Sequence, residues 1–212
     1  MTATRPDLCY IVAKLSQHMA KPTVRHHTMA KHVLRYLKGT ANQILVFKKS
    51  AEPLALFGLC DADWGNSEDR RSISGYCFQL SVDGPLISWK STKQRTVALS
   101  TCEAEYMALA TATQEAKFLT QLLNSMIGCK LFSCVTLHCD NQGTLALAKN
   151  PVQHQGSKHI DIRYHFIRSE IQEGSVQLVY VMSEENVADI FTKPMTKFKL
   201  VKFTDQIMGC QS

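Results

Sequence analysis

The chain has 212 residues, 45% of them apolar, a formal net charge of +6 and a pI near 8.9. That is apolar material enough for one good-sized core, while no apolar run reaches the ~18 residues needed to cross a bilayer and the N-terminus shows no signal-peptide pattern. Eight cysteines with no C-x-x-C pair and no regular spacing speak against a disulfide framework, so a reducing, intracellular setting is expected, and the basic balance suits a polyanionic partner without requiring one.

Residues 5–20 carry Leu8, Ile11, Val12, Leu15 and Met19 at helical spacing, and Pro22 ends that helix. A second helix follows, with Ala30, Val33, Leu34 and Leu37 on one side and Gly39 as its stop signal. Its other side holds Arg25, His26, His27, Lys31, Arg35 and Lys38, a solvated face or a phosphate-facing one. Then comes Leu54-Ala-Leu-Phe-Gly-Leu-Cys-Asp61-Ala-Asp63-Trp64, which reads as a strand buried on both faces and ending in two carboxylates. Arg71–Ser81 and Leu86–Lys90 make two more strands around the turn Val82-Asp83-Gly84-Pro85. Lys90, Lys93 and Arg95 lead into a helix from about Thr101 to Met126. A strand at Cys134–Asp140, a helix at Gln142–Lys149 and a polar loop through Ser157 follow. A helix near Ile160–Glu173, a strand at Val176–Met182 and a short helix at Asn186–Thr192 complete the pattern. The division expected is a helical piece over 1–48, an α/β unit over 49–195 and a tail over 196–212.

Three strands, a helix, then alternating strands and helices predict one mixed sheet. The helical crossover lets the fourth strand lie parallel beside the first, so Asp61 and Asp140 reach the same sheet edge. An ionised carboxylate in an apolar site needs a counter-charge, a metal or a raised pKa. No Lys or Arg lies within four residues of Asp61, which favours a metal; turn residues at a strand end are the other reading. Asp140 is either a ligand or the N-cap of the next helix. On the long helix, Glu105 shares a face with Leu109, Ala112, Ala116, Leu119 and Leu123, whereas Glu103 falls opposite and completes a capping box with Ser100. Asp189 is a further acidic candidate, or a solvated carboxylate in a helix's first turn.

These carboxylates, in the order Asp, Glu, Asp, Asp, resemble the ribonuclease H domain of copia-type retrotransposon Pol polyproteins. The resemblance is carried by Cys60-Asp61-Ala-Asp63-Trp64, Arg70-Arg71-Ser-Ile-Ser-Gly75-Tyr76, Ile87-Ser-Trp89-Lys90 and Val97-Ala-Leu-Ser100-Thr-Cys-Glu103-Ala-Glu105-Tyr106. It continues through Asp140-Asn141-Gln142, Lys158-His159-Ile-Asp161 and Ala188-Asp189-Ile-Phe-Thr192-Lys193-Pro194, and spans residues 5 to 195. Thr4-Arg5-Pro6-Asp7-Leu8 and Leu34-Arg-Tyr-Leu37-Lys38-Gly39-Thr40 resemble the tail of the preceding reverse transcriptase region. The chain is therefore expected to be a truncated piece of such a polyprotein, without the polymerase core.

The resemblance implies a ribonuclease H-like mixed five-stranded sheet flanked by helices, with an N-terminal helical extension. It implies cleavage of RNA in RNA–DNA hybrids by two Mg²⁺ ions, with Mn²⁺ able to substitute. It carries over Asp61, Glu105, Asp140 and Asp189 as metal ligands and His159 as a loop histidine assisting product departure. Expected partners are the hybrid and the reverse transcriptase region of the same polyprotein, in a cytoplasmic virus-like particle or the nucleus. Lys90, Lys93 and Arg95 are candidates for DNA-strand phosphates, and Gln94, Asn141 and Gln142 for 2′-OH groups. Two other readings stay open: an integrase or transposase, and a catalytically silent remnant that binds nucleic acid or packs on a polymerase.

Overall fold

Three strands, β1 (Phe57–Asp63), β2 (Ile73–Gln79) and β3 (Leu86–Lys93), pair antiparallel as a meander in the computed structural model, which describes residues 3–49, 53–82, 84–149 and 158–209, the backbone alone at 158–161. β4 (Val135–Cys139) lies parallel to β1, and β5 (Val176–Tyr180) parallel to β4, giving the order β3-β2-β1-β4-β5. The expected mixed five-stranded sheet is the one observed. β1 runs through both carboxylates, its pairing with β2 continuing to Asp63 opposite Ile73. At Gly58 a Cβ would stand 2.6 Å from the Phe78 ring and 2.9 Å from Leu137, so only glycine lets β1 lie between these side chains.

One face of the sheet is covered by α3 (Thr101–Ile127). The helix starts at Ser100, whose hydroxyl accepts from the Glu103 N–H at 3.1 Å, and stops at Gly128 in the left-handed conformation. Its inward residues Leu109, Ala112 and Ala116 are fully buried against Cys60, Phe78 and Leu137, the small side chains drawing the helix close to the strands. α4 (Gln142–Lys149) and α5 (Lys158–Gln172) pack beside it.

The opposite face gathers both ends of the described chain. A 3₁₀ turn at Pro6–Leu8 leads into α1 (Cys9–Ser16), shorter than the helix expected over 5–20, and α2 (Val24–Gly39) follows. α6 (Lys197–Met208) occupies the segment expected as a tail. Cys9 shares a core with Leu59, Cys77, Leu86 and Phe191, and with Phe203, Ile207 and Met208 of α6. The signal for α6 was present: Leu200, Phe203, Thr204, Ile207 and Met208 form an i, i+3, i+4, i+7, i+8 stripe. Of α2 only Val33 is buried, and its basic side faces solvent. No helix among the described residues is long and apolar enough to cross a membrane.

Candidate metal centre

Asp61 stands in β1 opposite Gly75 of β2. A 3₁₀ turn, Val187–Phe191, crosses this point and brings Asp189 beside it. Two features press the turn onto the sheet. The buried Asn186 donates from Nδ2 to the Cys60 carbonyl at 3.0 Å and accepts the Ala188 N–H at 3.2 Å. Gly75 leaves room: a Cβ there would lie 2.7 Å from Phe191 Cβ and 2.8 Å from Thr192 Cγ2. Asp140 follows the last residue of β4, and parallel pairing of β4 with β1 carries it to the same edge.

Glu105 arrives from α3 on the predicted inward face, 6% exposed. Ligand oxygens of Asp61, Asp140 and Asp189 all lie within 4.8 Å of one another, as do the ligand atoms of Glu105, Cys139 and Asp140. Asp140 belongs to both groups, so the four predicted carboxylates form one continuous cluster. The N-cap reading of Asp140 gives way to its neighbour: Asn141 Oδ1 accepts the Thr144 N–H at 2.9 Å, at the head of α4.

Burial pushes the Glu105 carboxyl up to about 10, with Asp61, Cys139 and Asp140 adding to the rise and the Ala62 N–H opposing it. Burial likewise lifts Asp61 to about 7; Lys193 works against the rise, Asp189 adds to it, the Thr192 hydroxyl opposes it and Asp140 adds to it. Thr192 donates to Asp61 Oδ2, and Lys193 Nζ is 3.9 Å from the same oxygen. Asp189, 1% exposed, has Lys193 Nζ at 2.7 Å from Oδ1 and Lys199 Nζ at 2.6 Å from Oδ2. Burial would lower the Lys193 pKa, but Asp61, Asp189 and Asp140 raise it above its ordinary value. These counter-charges lie over a hundred positions from Asp61 in sequence, so no local pattern around Asp61 announces them.

The donor set suits a hard divalent cation. All four carboxylates offer oxygen, and among the described residues Glu105 Oε2 and Asp189 Oδ1 are buried with no hydrogen-bond partner. Asp189 Oδ1 has the Lys193 ammonium beside it, whereas Glu105 Oε2 is an atom that a cation would satisfy. Asp63 stays outside the cluster, its two oxygens bound to Asn66 Nδ2 at 2.7 and 2.9 Å. The His159 side chain lies outside the described residues, and His165 is exposed on α5.

Two polar expectations need correcting. Gln94 is not free to meet a 2′-OH: its Nε2 donates to Ser74 Oγ at 2.8 Å and to the Ala104 carbonyl at 2.9 Å, which uses both hydrogens to lock the end of β3 onto α3. Glu103 does reach back over the start of α3, but to the Leu99 N–H at 2.7 Å, one residue before Ser100. Beyond Gln94 a groove of about 320 Å³ is lined by Lys90, Lys93, Arg95 and Arg163. Lys93 also pairs with Asp69 at 2.8 Å.

No family model matches the chain. In sequence it is 40% identical over 205 residues, 96% of its length, to the retrovirus-related Pol polyprotein from transposon RE1 of Arabidopsis thaliana, and it spans 14% of that polyprotein. It is 52% identical to secreted RxLR effector protein 161 of Plasmopara viticola over 121 residues, which cover 57% of this chain and 83% of that protein. In structure it is similar to the foamy viral protease-reverse transcriptase solved in complex with dsDNA, at a TM-score of 0.51 and 12% identity over 85% of this chain and 35% of that one. At that identity the likeness is one of fold.

Proposed function

The chain belongs to the retrovirus-related Pol polyproteins of copia-type transposons, as their ribonuclease H domain, and from that premise we propose that it hydrolyses the RNA strand of an RNA–DNA hybrid with two Mg²⁺ ions, Mn²⁺ substituting. One observation supports this most directly. Carboxylates from β1, α3, the end of β4 and the 187–191 turn converge at one sheet edge, and Glu105 brings an oxygen that nothing else satisfies. Asp140, which belongs to both groups, would with Glu105 hold one position, and Asp61 with Asp189 would hold the other. Divalent ions held there would supply an activated water, charge neutralisation at the phosphate and stabilisation of the leaving oxygen.

The remaining residues bind and orient. Lys90, Arg95 and Arg163 offer positive charge along the groove that Gln94 also lines, and suit the phosphates of the DNA strand; Gln94 in turn donates to the carbonyl of Ala104, next to Glu105. Gln142, exposed at the head of α4 near Asp140, remains free to meet a 2′-OH, and Asn141 keeps its amide hydrogens for the same role. His159 is retained as the candidate for product departure. Residues 1–48 are read as the tail of the reverse transcriptase region and 49–195 as the catalytic unit. The reverse transcriptase of the same polyprotein is the partner proposed.

The purified chain, incubated with hybrid and Mg²⁺, should release RNA fragments with 5′-phosphate ends, regardless of sequence. EDTA should stop the reaction, and plain double-stranded RNA should survive. Equal cutting of double-stranded RNA, or cutting in EDTA, sinks the proposal. A folded chain inactive in both Mg²⁺ and Mn²⁺ is the silent remnant instead.

A further inference from the structure

The two halves of the carboxylate cluster are filled differently. Asp189 has an ammonium group beside each oxygen, Lys193 at 2.7 Å from Oδ1, an ion pair without hydrogen-bond geometry, and Lys199 hydrogen-bonded to Oδ2 at 2.6 Å; Lys193 stands 3.9 Å from Asp61 Oδ2 as well. Glu105, at the other end, keeps a buried oxygen with no partner. A divalent ion accepted by Asp61 and Asp189 together meets positive charge already in place, and like charges at such separations in a partly buried site repel strongly. Among the described residues neither Glu105 nor Asp140 has a lysine at ion-pair distance, and only Asp140 stands near the carboxylates that Lys193 bridges, so an ion accepted there meets a weaker repulsion.

The two lysines also differ in how easily they can leave. Lys199 is tied to its surroundings: its Nζ donates to the Ser183 carbonyl at 3.4 Å and lies 5.1 Å from the centre of the Phe203 ring. Lys193 pairs with the two carboxylates that it bridges, and its side chain is 38% exposed. Its four-carbon stem can carry the ammonium into solvent without disturbing the turn. We propose that Lys193 is an internal counter-cation that closes the Asp61–Asp189 position in the metal-free protein, so that divalent ions load in order, first at Glu105–Asp140 and then at Asp61–Asp189 once Lys193 has withdrawn. The inference rests on the reading of these carboxylates as metal ligands.

Mn²⁺ binding to the full chain without nucleic acid, followed by the loss of the free-ion EPR signal, tests it. The wild type should bind one ion and take a second at least roughly tenfold more weakly; Lys193→Gln should tighten the second step by roughly tenfold or more, and Lys193→Arg, which keeps the charge, should leave it weak. Two equal ions in the wild type, or a second step that Lys193→Gln leaves unchanged, overturns the proposal. Absence of Mn²⁺ binding in every folded variant overturns the metal reading beneath it, a result distinguishable from the others because no first step is seen. Should Lys193→Gln fail to fold, Mg²⁺ titration of the wild type followed by NMR of the Lys193 ε-methylene decides. That resonance should hold through the first step and move at the second, and movement at the first step overturns the order proposed.

Discussion

Glu105 and Asp189 are both buried carboxylates of one cluster, 6% and 1% exposed, yet the fold treats them in opposite ways. Glu105 sits at the head of an apolar stripe with one oxygen unpartnered, and burial pushes its carboxyl up to about 10. Asp189 sits on a short turn between two ammonium groups contributed by its own helix-end neighbour and by α6. Burial alone does not decide what a carboxylate costs. The difference lies in whether the surrounding chain supplies a counter-charge, and here one half of the site is neutralised from within while the other is left for something from outside.

The largest expected effect falls on both halves alike. Asp61→Asn, Glu105→Gln, Asp140→Asn and Asp189→Asn should each lower hybrid cleavage more than ~100-fold, beyond the ~10–100-fold typical of groups one layer out from a metal. Circular dichroism should show each variant folded. Full activity in any one of them removes that residue from the ligand set.

Stability in EDTA should then split the two halves. Asp189→Asn leaves two lysines without their shared partner and should cost about 1–3 kcal/mol, less than for a fully buried pair because both lysine side chains reach water. Glu105→Gln replaces a carboxyl that must take up a proton to be buried by an amide that need not, and should be neutral or stabilising, on the order of 1 kcal/mol. Urea denaturation curves check both, and a loss of stability in Glu105→Gln as large as in Asp189→Asn erases the contrast.

The same contrast has a pH signature. A carboxyl held above its unfolded pKa favours folding most below the unfolded value, and that contribution drains away as pH rises towards the folded value. For Asp61 the window runs from 3.8 to about 7, and for Glu105 from 4.5 to about 10. The metal-free protein should therefore lose stability between pH 4.5 and about pH 7, in the range these windows share, and Glu105→Gln should flatten the decline. Stability in EDTA that rises over this interval contradicts the assignment.

The smallest effect separates Glu105 from Glu103. Glu103→Ala removes the contact to the Leu99 N–H and should cost about 0.5–1.5 kcal/mol while leaving cleavage close to wild type. Loss of cleavage in Glu103→Ala would mean that the helix presents the wrong glutamate to the sheet.

Local chemistry and period were enough to place much of this site in advance. The stripe from Leu109 to Leu119 fixes which side of α3 faces the sheet, because residues two apart on a helix lie about 200° apart, and Glu105 follows. A helix between β3 and β4 makes β4 parallel to β1, and chain direction alone then sets Asp61 and Asp140 at one edge. The Lys193–Asp189 pair is four residues apart and was open to reading, but the approach of Lys193 to Asp61 and of Lys199 to Asp189 was not, since Asn186 and Gly75 fold the 187–191 turn over β1 and α6 docks beyond it. The split between Asp140 and Asn141 likewise depended on where α4 begins, which one residue of register decides. Gln94 looked available because nothing near it in sequence announces the Ala104 carbonyl that takes its hydrogen bond. Periodicity reports which face of an element is apolar. Which distant polar group meets which is an energy balance among desolvation, charge and hydrogen bonding, and only the packed structure strikes it.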